Sequence, residues 1–326
     1  MFGRVLTLFD PLVRLLLLAI LLASIVPVTG EDRAVARTVS DIAIFVLFLL
    51  NGLRLPRAQV LRGMGNLRFL LPLALWVFAA MGLAGWASFS IADNVLLPSL
   101  ALGFLFLGVL PSTVQSATAY TSLSGGNVAN SVVAAAALNI LGVFISAPLI
   151  TWLASSAAPA SDVGLDIAAL ERIGLILLLP FVIGQVLQGR LGETVAQNRK
   201  LISWADRIAI AIAVYVAFSG AVEQGLWTQV DLPLWGVLLS LVGLMLAFGF
   251  FGAWWLGGSL RLNRPDRIAF LFAGAQKSIA MGAPLAAVLF PPAMAGLILL
   301  PVLLYHLIQM LISAPLASRF NPALPT

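Results

Sequence analysis

Two short polar stretches interrupt a sequence that is otherwise strongly apolar. One reads Pro111-Ser112-Thr113-Val114-Gln115-Ser116, the other Gln276-Lys277-Ser278. Hydroxyl and amide oxygens can coordinate a hard cation, and the same groups with an ammonium can hold an anion. Lys277 is the sharpest of them, a basic residue in the middle of an apolar run with no carboxylate at comparable depth. An unpaired ammonium in hydrocarbon costs at least about 2.5–3.5 kcal/mol on insertion scales. Backbone carbonyls at a helix break could solvate it, it could be held neutral, or it could await an anionic partner, aided by the positive ends of half-helices. It could also reach water in a cavity and do nothing.

Other side chains could line the same cavity. Ser131 and Asn139 are eight residues apart, so they share roughly one helix face after the turn Gly125-Gly126-Asn127. Lining a cavity and hydrogen-bonding between helices are both open to them. His306 sits beside Tyr305 with Gln309 three residues on, and the same two readings apply to it. The expected substrate-lining set is Ser112, Thr113, Gln115, Ser116, Gln276, Lys277, Ser278 and His306. With no cysteine, one histidine and no deep carboxylate pair, the constellations of acid–base, nucleophilic and zinc chemistry are missing. The sequence therefore points away from an enzyme and from a resident cofactor.

The elements that position these residues are membrane helices. Of 326 residues 61% are hydrophobic and only 10% charged, against about 25% charged in a soluble domain. A span needs about 20 mostly apolar residues. Ten runs qualify: Leu12–Val28, Val35–Leu53, Phe69–Phe89, Val95–Leu123, Asn127–Leu153, Ala168–Gln188, Ile202–Val222, Leu234–Leu256, Asp266–Phe290 and Met294–Ala317. The first lacks a clear cleavage site and is read as a span, not as a signal peptide.

With the N-terminus inside, Arg4, Arg14, Arg54, Arg57, Arg62, Arg68, Arg190, Arg199, Lys200, Arg207, Arg261, Arg264, Arg267 and Arg319 fall on the cytoplasmic side. Only Arg33, Arg37 and Arg172 fall opposite. This asymmetry supports ten spans with both termini cytoplasmic; the expected location, not read from the charges, is a bacterial inner membrane. The asymmetry also explains the net charge of +5 as topology, not nucleic-acid binding.

An internal repeat is visible. Phe104-Leu105-Phe106-Leu107-Gly108 matches Phe270-Leu271-Phe272-Ala273-Gly274 at an offset of 166, and Ile145-Ser146-Ala147-Pro148-Leu149 matches Ile312-Ser313-Ala314-Pro315-Leu316 at an offset of 167. Pro111 and Lys277 are also 166 apart. Repeats of about 11–154 and 167–318 with five spans each must be inverted relative to one another, an architecture common in secondary transporters. Spans four and nine, too polar and too rich in Pro and Gly to be plain helices, are expected to break at equivalent places. Unwound backbone must line a cavity or protein interior, although kinks serving only packing are the alternative.

Leu179-Pro180-Phe181-Val182-Ile183-Gly184-Gln185, Gly126-Asn127-Val128 and Gln276-Lys277-Ser278 resemble motifs of the bile acid:sodium symporter superfamily. The branch they resemble holds bacterial symporters and the solute carrier family 10 member 7. The resemblance covers nearly the whole chain. It implies a single all-α membrane transporter domain of ten helices, with a panel of spans 12–53 and 168–222 and a core of spans 69–153 and 234–317. Helices four and nine would cross at mid-membrane, with substrate between core and panel. It also implies a candidate ion site of Thr118, Asn127, Ser131, Asn139 and Gln276. His306 matches a span-ten histidine lining the family's substrate crevice, followed here by Leu307.

Several positions depart from the sodium-coupled pattern. Phe272 stands where those members carry a glutamate, Lys277 where they carry an asparagine, and Ala135 where a threonine is expected. The implied function is secondary transport of a small organic anion by alternating access; Na⁺ and H⁺ are both open as coupling ion, with the ammonium standing in for one sodium and so arguing for sodium-independent or proton-linked transport. The other reading is a non-transporting membrane regulator of ion homeostasis acting through a partner. The lipid bilayer is the expected surrounding, no nucleic-acid partner is expected, and a homodimer is left open.

Overall fold

A computed structural model describes residues 11–54, 66–157, 171–229 and 231–321. These residues are helical throughout, with short connections. The helices longer than one turn are α1 (Pro11–Ile25), α2 (Asp32–Arg54), α3 (Leu67–Ala92), α4 (Pro98–Val109), α5 (Gln115–Leu123), α6 (Val128–Ala157), α7 (Glu171–Gln197), α8 (Arg199–Glu223), α9 (Leu232–Ser259), α10 (Arg264–Ala275), α11 (Ile279–Leu289) and α12 (Pro292–Phe320), with a single short turn of helix at Leu226–Gln229. Eight helices are long and apolar enough to cross a membrane when α10 and α11 are taken together; α1 and α4 are shorter apolar helices. Large apolar side chains such as Leu21, Ile42, Leu83, Phe251 and Trp255 face outward, a surface that water would penalise and lipid does not. The chain is thus an integral membrane protein.

The expected span 95–123 is two helices, α4 and α5, and the expected span 266–290 is likewise α10 and α11. The expected span 168–188 begins outside the described residues and runs on to Gln197, because polar residues that favour helix, Glu193 and Gln197 among them, carry it past the apolar run. Arg4, Arg57 and Arg62 lie outside the described residues. Two π-helical turns, Leu75–Ala80 in α3 and Gly174–Leu178 in α7, had no sequence signal in the reading above.

The chain forms two compact units. The first holds residues 1–56, 163–231 and 283–299. Within it α2 packs on α7 where Gly52 and Gly184 face each other; a Cβ on Gly52 would lie 2.3 Å from the Phe181 carbonyl. Backbones this close exclude any side chain. The helices α2 and α8 run antiparallel, since Arg33 pairs with Glu223 near one end and Arg54 with Asp206 near the other. Arg172 donates to both oxygens of Asp41, at 2.6 and 2.7 Å.

The second unit holds residues 57–162, 232–282 and 300–326. Here α3 lies against α4 through Gly85 and Gly108, and Trp76 stacks on Phe248 with ring centroids 5.0 Å apart. Local signals start its helices. Asn263 caps α10 by accepting from the Asp266 amide at 2.9 Å, with Pro265 in the first turn. Pro98 opens α4 in the same way.

Candidate functional site

The first break centres on one residue. Pro111 has no N–H, and proline drives its predecessor out of the helical region. Leu110 accordingly has φ −70° and ψ 145°, and α4 ends at Val109. A helix that ends inside an apolar interior leaves its last carbonyls without donors, yet each of them here has found one. The carbonyls of Gly108 and Leu110 accept from Lys277 Nζ, each at 2.8 Å. The Val109 carbonyl accepts from Ser146 Oγ at 2.8 Å, and the Ser112 carbonyl from Asn139 Nδ2 at 2.9 Å. The Pro111 carbonyl accepts from the Ser278 amide at 2.9 Å, which joins the two breaks directly.

The second break has no proline at its turning point. Gln276 is nonetheless extended, with φ −85° and ψ 143°. The Ala275 carbonyl accepts from Tyr305 Oη at 2.6 Å. The Lys277 amide donates to Gln309 Oε1 at 2.8 Å, and Gln309 Nε2 donates back to the Lys277 carbonyl at 3.0 Å. Gln309 thus treats Lys277 as a neighbouring strand would. The Ser278 hydroxyl then accepts from the Met281 amide at 3.3 Å, at the start of α11.

Lys277 is 0% exposed. A third carbonyl, that of Val77 in the π-helical turn of α3, accepts from its Nζ at 2.8 Å. Three acceptors around one nitrogen match the three N–H donors of an ammonium. One of them, Gly108, lies in the last turn of α4, the negative end of that helix, and Leu110 follows directly after it. Of the ways to stabilise Lys277 named above, solvation by backbone carbonyls is the one the geometry displays. In this arrangement no donor on Nζ is left for an anion.

Beside the lysine, Thr113 Oγ1 donates to Gln276 Oε1 at 2.6 Å. Ser116 Oγ stands 2.6 Å from the threonine oxygen and 2.7 Å from the glutamine oxygen. Gln276 Nε2 donates to Ser313 Oγ at 3.1 Å. The structure therefore brings together Thr113, Ser116 and Gln276, with Ser112, Lys277 and Ser278 bound into the same breaks. Gln115 is exposed on α5 and bonds to none of them. His306 joins through Gln309, whose Nε2 lies 2.9 Å from His306 Nδ1.

The side chains of the five candidate ion-site residues are not hydrogen-bonded to one another; Ser131 and Asn127 meet only through the backbone, the Ser131 amide donating to the Asn127 carbonyl at 3.0 Å. Ser131 accepts from Thr121 at 3.3 Å, and Asn127 donates to Asp266 at 2.8 Å. Asn139 donates to the Ser112 and Ala135 carbonyls, and Gln276 bonds as above. Thr118 Oγ1 is buried without a partner. Phe272 is fully buried and stacks on Tyr120 with centroids 5.8 Å apart, so an aromatic ring fills the place where a carboxylate ligand would be sought.

Sequence reasoning missed Ser146 and Ser313, named backbone carbonyls at the break as partners of Lys277 without identifying which ones, and set Gln309 beside His306 without a role. A signal for the serines was present: Ser146 and Ser313 belong to the matched segments, at the offset of 167. Gln309 is offset by the same 167 from Gly142, and a Cβ on Gly142 would lie 2.6 Å from the Pro111 ring.

Fold and site together define a polytopic α-helical membrane protein with interrupted helices bonded around a buried charge, the structural class of secondary transporters. The chain belongs to the SBF-like CPA transporter family, which matches residues 10–322, and so to the bile acid:sodium symporter superfamily. It is 36% identical to "Putative symporter YfeH" of Escherichia coli (strain K12), over 96% of this chain and 93% of that protein. It is 38% identical to "Uncharacterized protein PA2026" of Pseudomonas aeruginosa, over 94% of this chain and 91% of that one. With "Sodium/bile acid cotransporter 7" of Mus musculus the identity is 24%, over 89% and 85% of the two chains. A family of transporters is one of membrane proteins that move small solutes, not of enzymes.

Proposed function

We propose that this protein is a secondary active transporter of a small organic anion, working by alternating access. The break-bearing unit is its transport core and the other unit its panel. The observation that carries this reading is the bonded pair of helix breaks around a carboxylate-free ammonium. The N-terminal ends of α5 and α11 begin at the two breaks, and helix N-termini favour negative charge. The polar side chains Thr113, Ser116 and Gln276 would supply the directional contacts. Lys277 then contributes positive potential from a fixed position and does not itself grip the substrate.

The proposal includes ten crossings, with α1 and the α4–α5 pair added to the eight long helices, in two inverted halves with both termini cytoplasmic in a bacterial inner membrane. The repeat supports the inversion. Ser146 and Ser313, and Gly142 and Gln309, act on the two breaks from equivalent positions. Sodium independence is supported by Phe272 and Ala135, which are buried and offer no oxygen ligand from their side chains.

The test is uptake of a panel of organic anions, bile acids included, into proteoliposomes with and without a sodium gradient. Uptake of at least one anion without sodium is expected. Strict sodium dependence overturns the coupling assignment. No flux of any anion, with capture of a specific membrane partner, overturns the transport assignment in favour of a regulatory role.

A further inference from the structure

We infer that His306 is a proton-binding site that controls the second helix break through Gln309. The amide orientation of Gln309 is fixed twice over. Its Oε1 accepts from the Lys277 amide, and its Nε2 donates to the Lys277 carbonyl. The second N–H of Nε2 points at His306 Nδ1, 2.9 Å away. That ring nitrogen therefore accepts, and the imidazole is neutral with its proton on Nε2.

A proton added to Nδ1 sets two N–H groups against each other. Turning the amide over would satisfy the new donor but would place an NH₂ against the Lys277 amide and an oxygen against its carbonyl. In the turned orientation both bonds to Lys277 are lost; unturned, the amide keeps them only against the repulsion of the two facing N–H groups. Lys277 sits one residue before Ser278, whose amide holds the first break at Pro111. A single proton on His306 is thus transmitted to the contact between the breaks. His306 is 6% exposed and Gln309 0% exposed, so water does not substitute freely for the lost partners.

Of the other titratable groups on the elements bonded here, Arg264 and Arg267 stand at the start of α10 and Arg319 at the end of α12, away from the break, and those closer to it are engaged. The Lys277 ammonium is held by its three carbonyls, Tyr305 donates to the Ala275 carbonyl, and Tyr120 donates to the Met310 carbonyl. Asp266 lies at the opposite end of α10, where Asn127 and Asn130 donate to it. The use of this switch to couple protons to transport rests on the function proposed above; the switch itself does not.

His306 is the single histidine of the chain, so isotope-labelled histidine gives one imidazole signal in the full protein in lipid bilayers. The expected state at alkaline pH is the tautomer protonated on Nε2. Amide hydrogen exchange of the peptide spanning residues 272–282, corrected for the intrinsic pH dependence, should quicken about tenfold as the ring is protonated, in keeping with loss of buried hydrogen bonds. His306→Asn places an amide oxygen near the Nδ1 position and does not titrate, so its exchange should stay slow and flat with pH. Gln309→Leu should exchange fast at all pH.

A ring protonated on Nδ1 at alkaline pH overturns the inference. So does exchange that is flat through the imidazole titration, or that keeps its pH dependence in His306→Asn. If that variant does not fold, the wild-type series and Gln309→Leu still decide. Exchange behaving as expected with no anion uptake defeats the transport reading alone. Uptake with flat exchange defeats the switch alone.

Discussion

Gln309 closes both backbone hydrogen bonds of Lys277 with one side-chain amide, at 2.8 and 3.0 Å, inside an apolar helix bundle. Gly142 stands 167 positions earlier and packs bare against Pro111. The difference has a simple cause. Pro111 has no N–H to satisfy and needs only room for its ring, whereas Lys277 has an N–H that cannot be left orphaned.

Gln309→Leu removes both partners at once. A buried backbone group without a partner costs about 1–3 kcal/mol, so the variant, which orphans two, should lose about 2–6 kcal/mol in unfolding measured in detergent. Gln309→Glu keeps an acceptor for the Lys277 amide and should lose less. Equal stability of wild type and Gln309→Leu would show that the clamp is not populated in solution.

Lys277→Met leaves three buried carbonyls without their donor. The expected loss is about 3 kcal/mol or more, read as a lower melting temperature. Lys277→Arg should not restore it, because a planar guanidinium does not reproduce three donors converging from one nitrogen. In Lys277→Gly the vacated channel should accept a small alkylammonium ion, and millimolar propylammonium should raise the melting point of that variant and not of the wild type.

Gly142→Ala tests the first break. Its Cβ would lie 2.6 Å from Pro111 Cγ, and a proline ring cannot swing aside. Overpacking of this kind costs about 1–3 kcal/mol, which outweighs the gain of up to about 1 kcal/mol that alanine brings to a helix. Gly243→Ala, in the same unit but with nothing within 4 Å of the added carbon, is the control and should be neutral or stabilising. Thermal unfolding of the two variants side by side decides the point.

In the other unit, Arg172 and Asp41 form a pair with side chains 18% and 27% exposed. That places it between surface pairs, worth below about 1 kcal/mol, and buried ones, which cost about 3–5 kcal/mol to break. A double-mutant cycle of Arg172→Ala and Asp41→Ala should give a coupling of about 1–2 kcal/mol. A coupling near zero would mean that water separates the two groups in the membrane-embedded protein.

By itself the sequence determined the class of fold, because apolar length and the scarcity of charge leave no other solvent than lipid for most of the surface. It also made the first break legible, since Pro111 disfavours the helix locally and pushes Leu110 toward an extended conformation; Pro148, Pro284 and Pro301 nevertheless lie inside helices, so the surroundings share in the choice. The second break was legible as polarity, as a richness in Gly and Pro, and as the position equivalent to the first at an offset of 166. Gln276 has no local reason to leave the helix, and its extended backbone is held by groups far along the chain: Gln309 on Lys277, Tyr305 on Ala275, and Ser278 on the Pro111 carbonyl. The partner of Lys277 was likewise out of reach of the sequence. Its charge is stabilised by carbonyl oxygens of Val77, Gly108 and Leu110. Every residue carries such an oxygen, so no residue type marks which ones a fold will turn inward; only the tertiary structure, by ending one helix and widening another beside the ammonium, makes them a site.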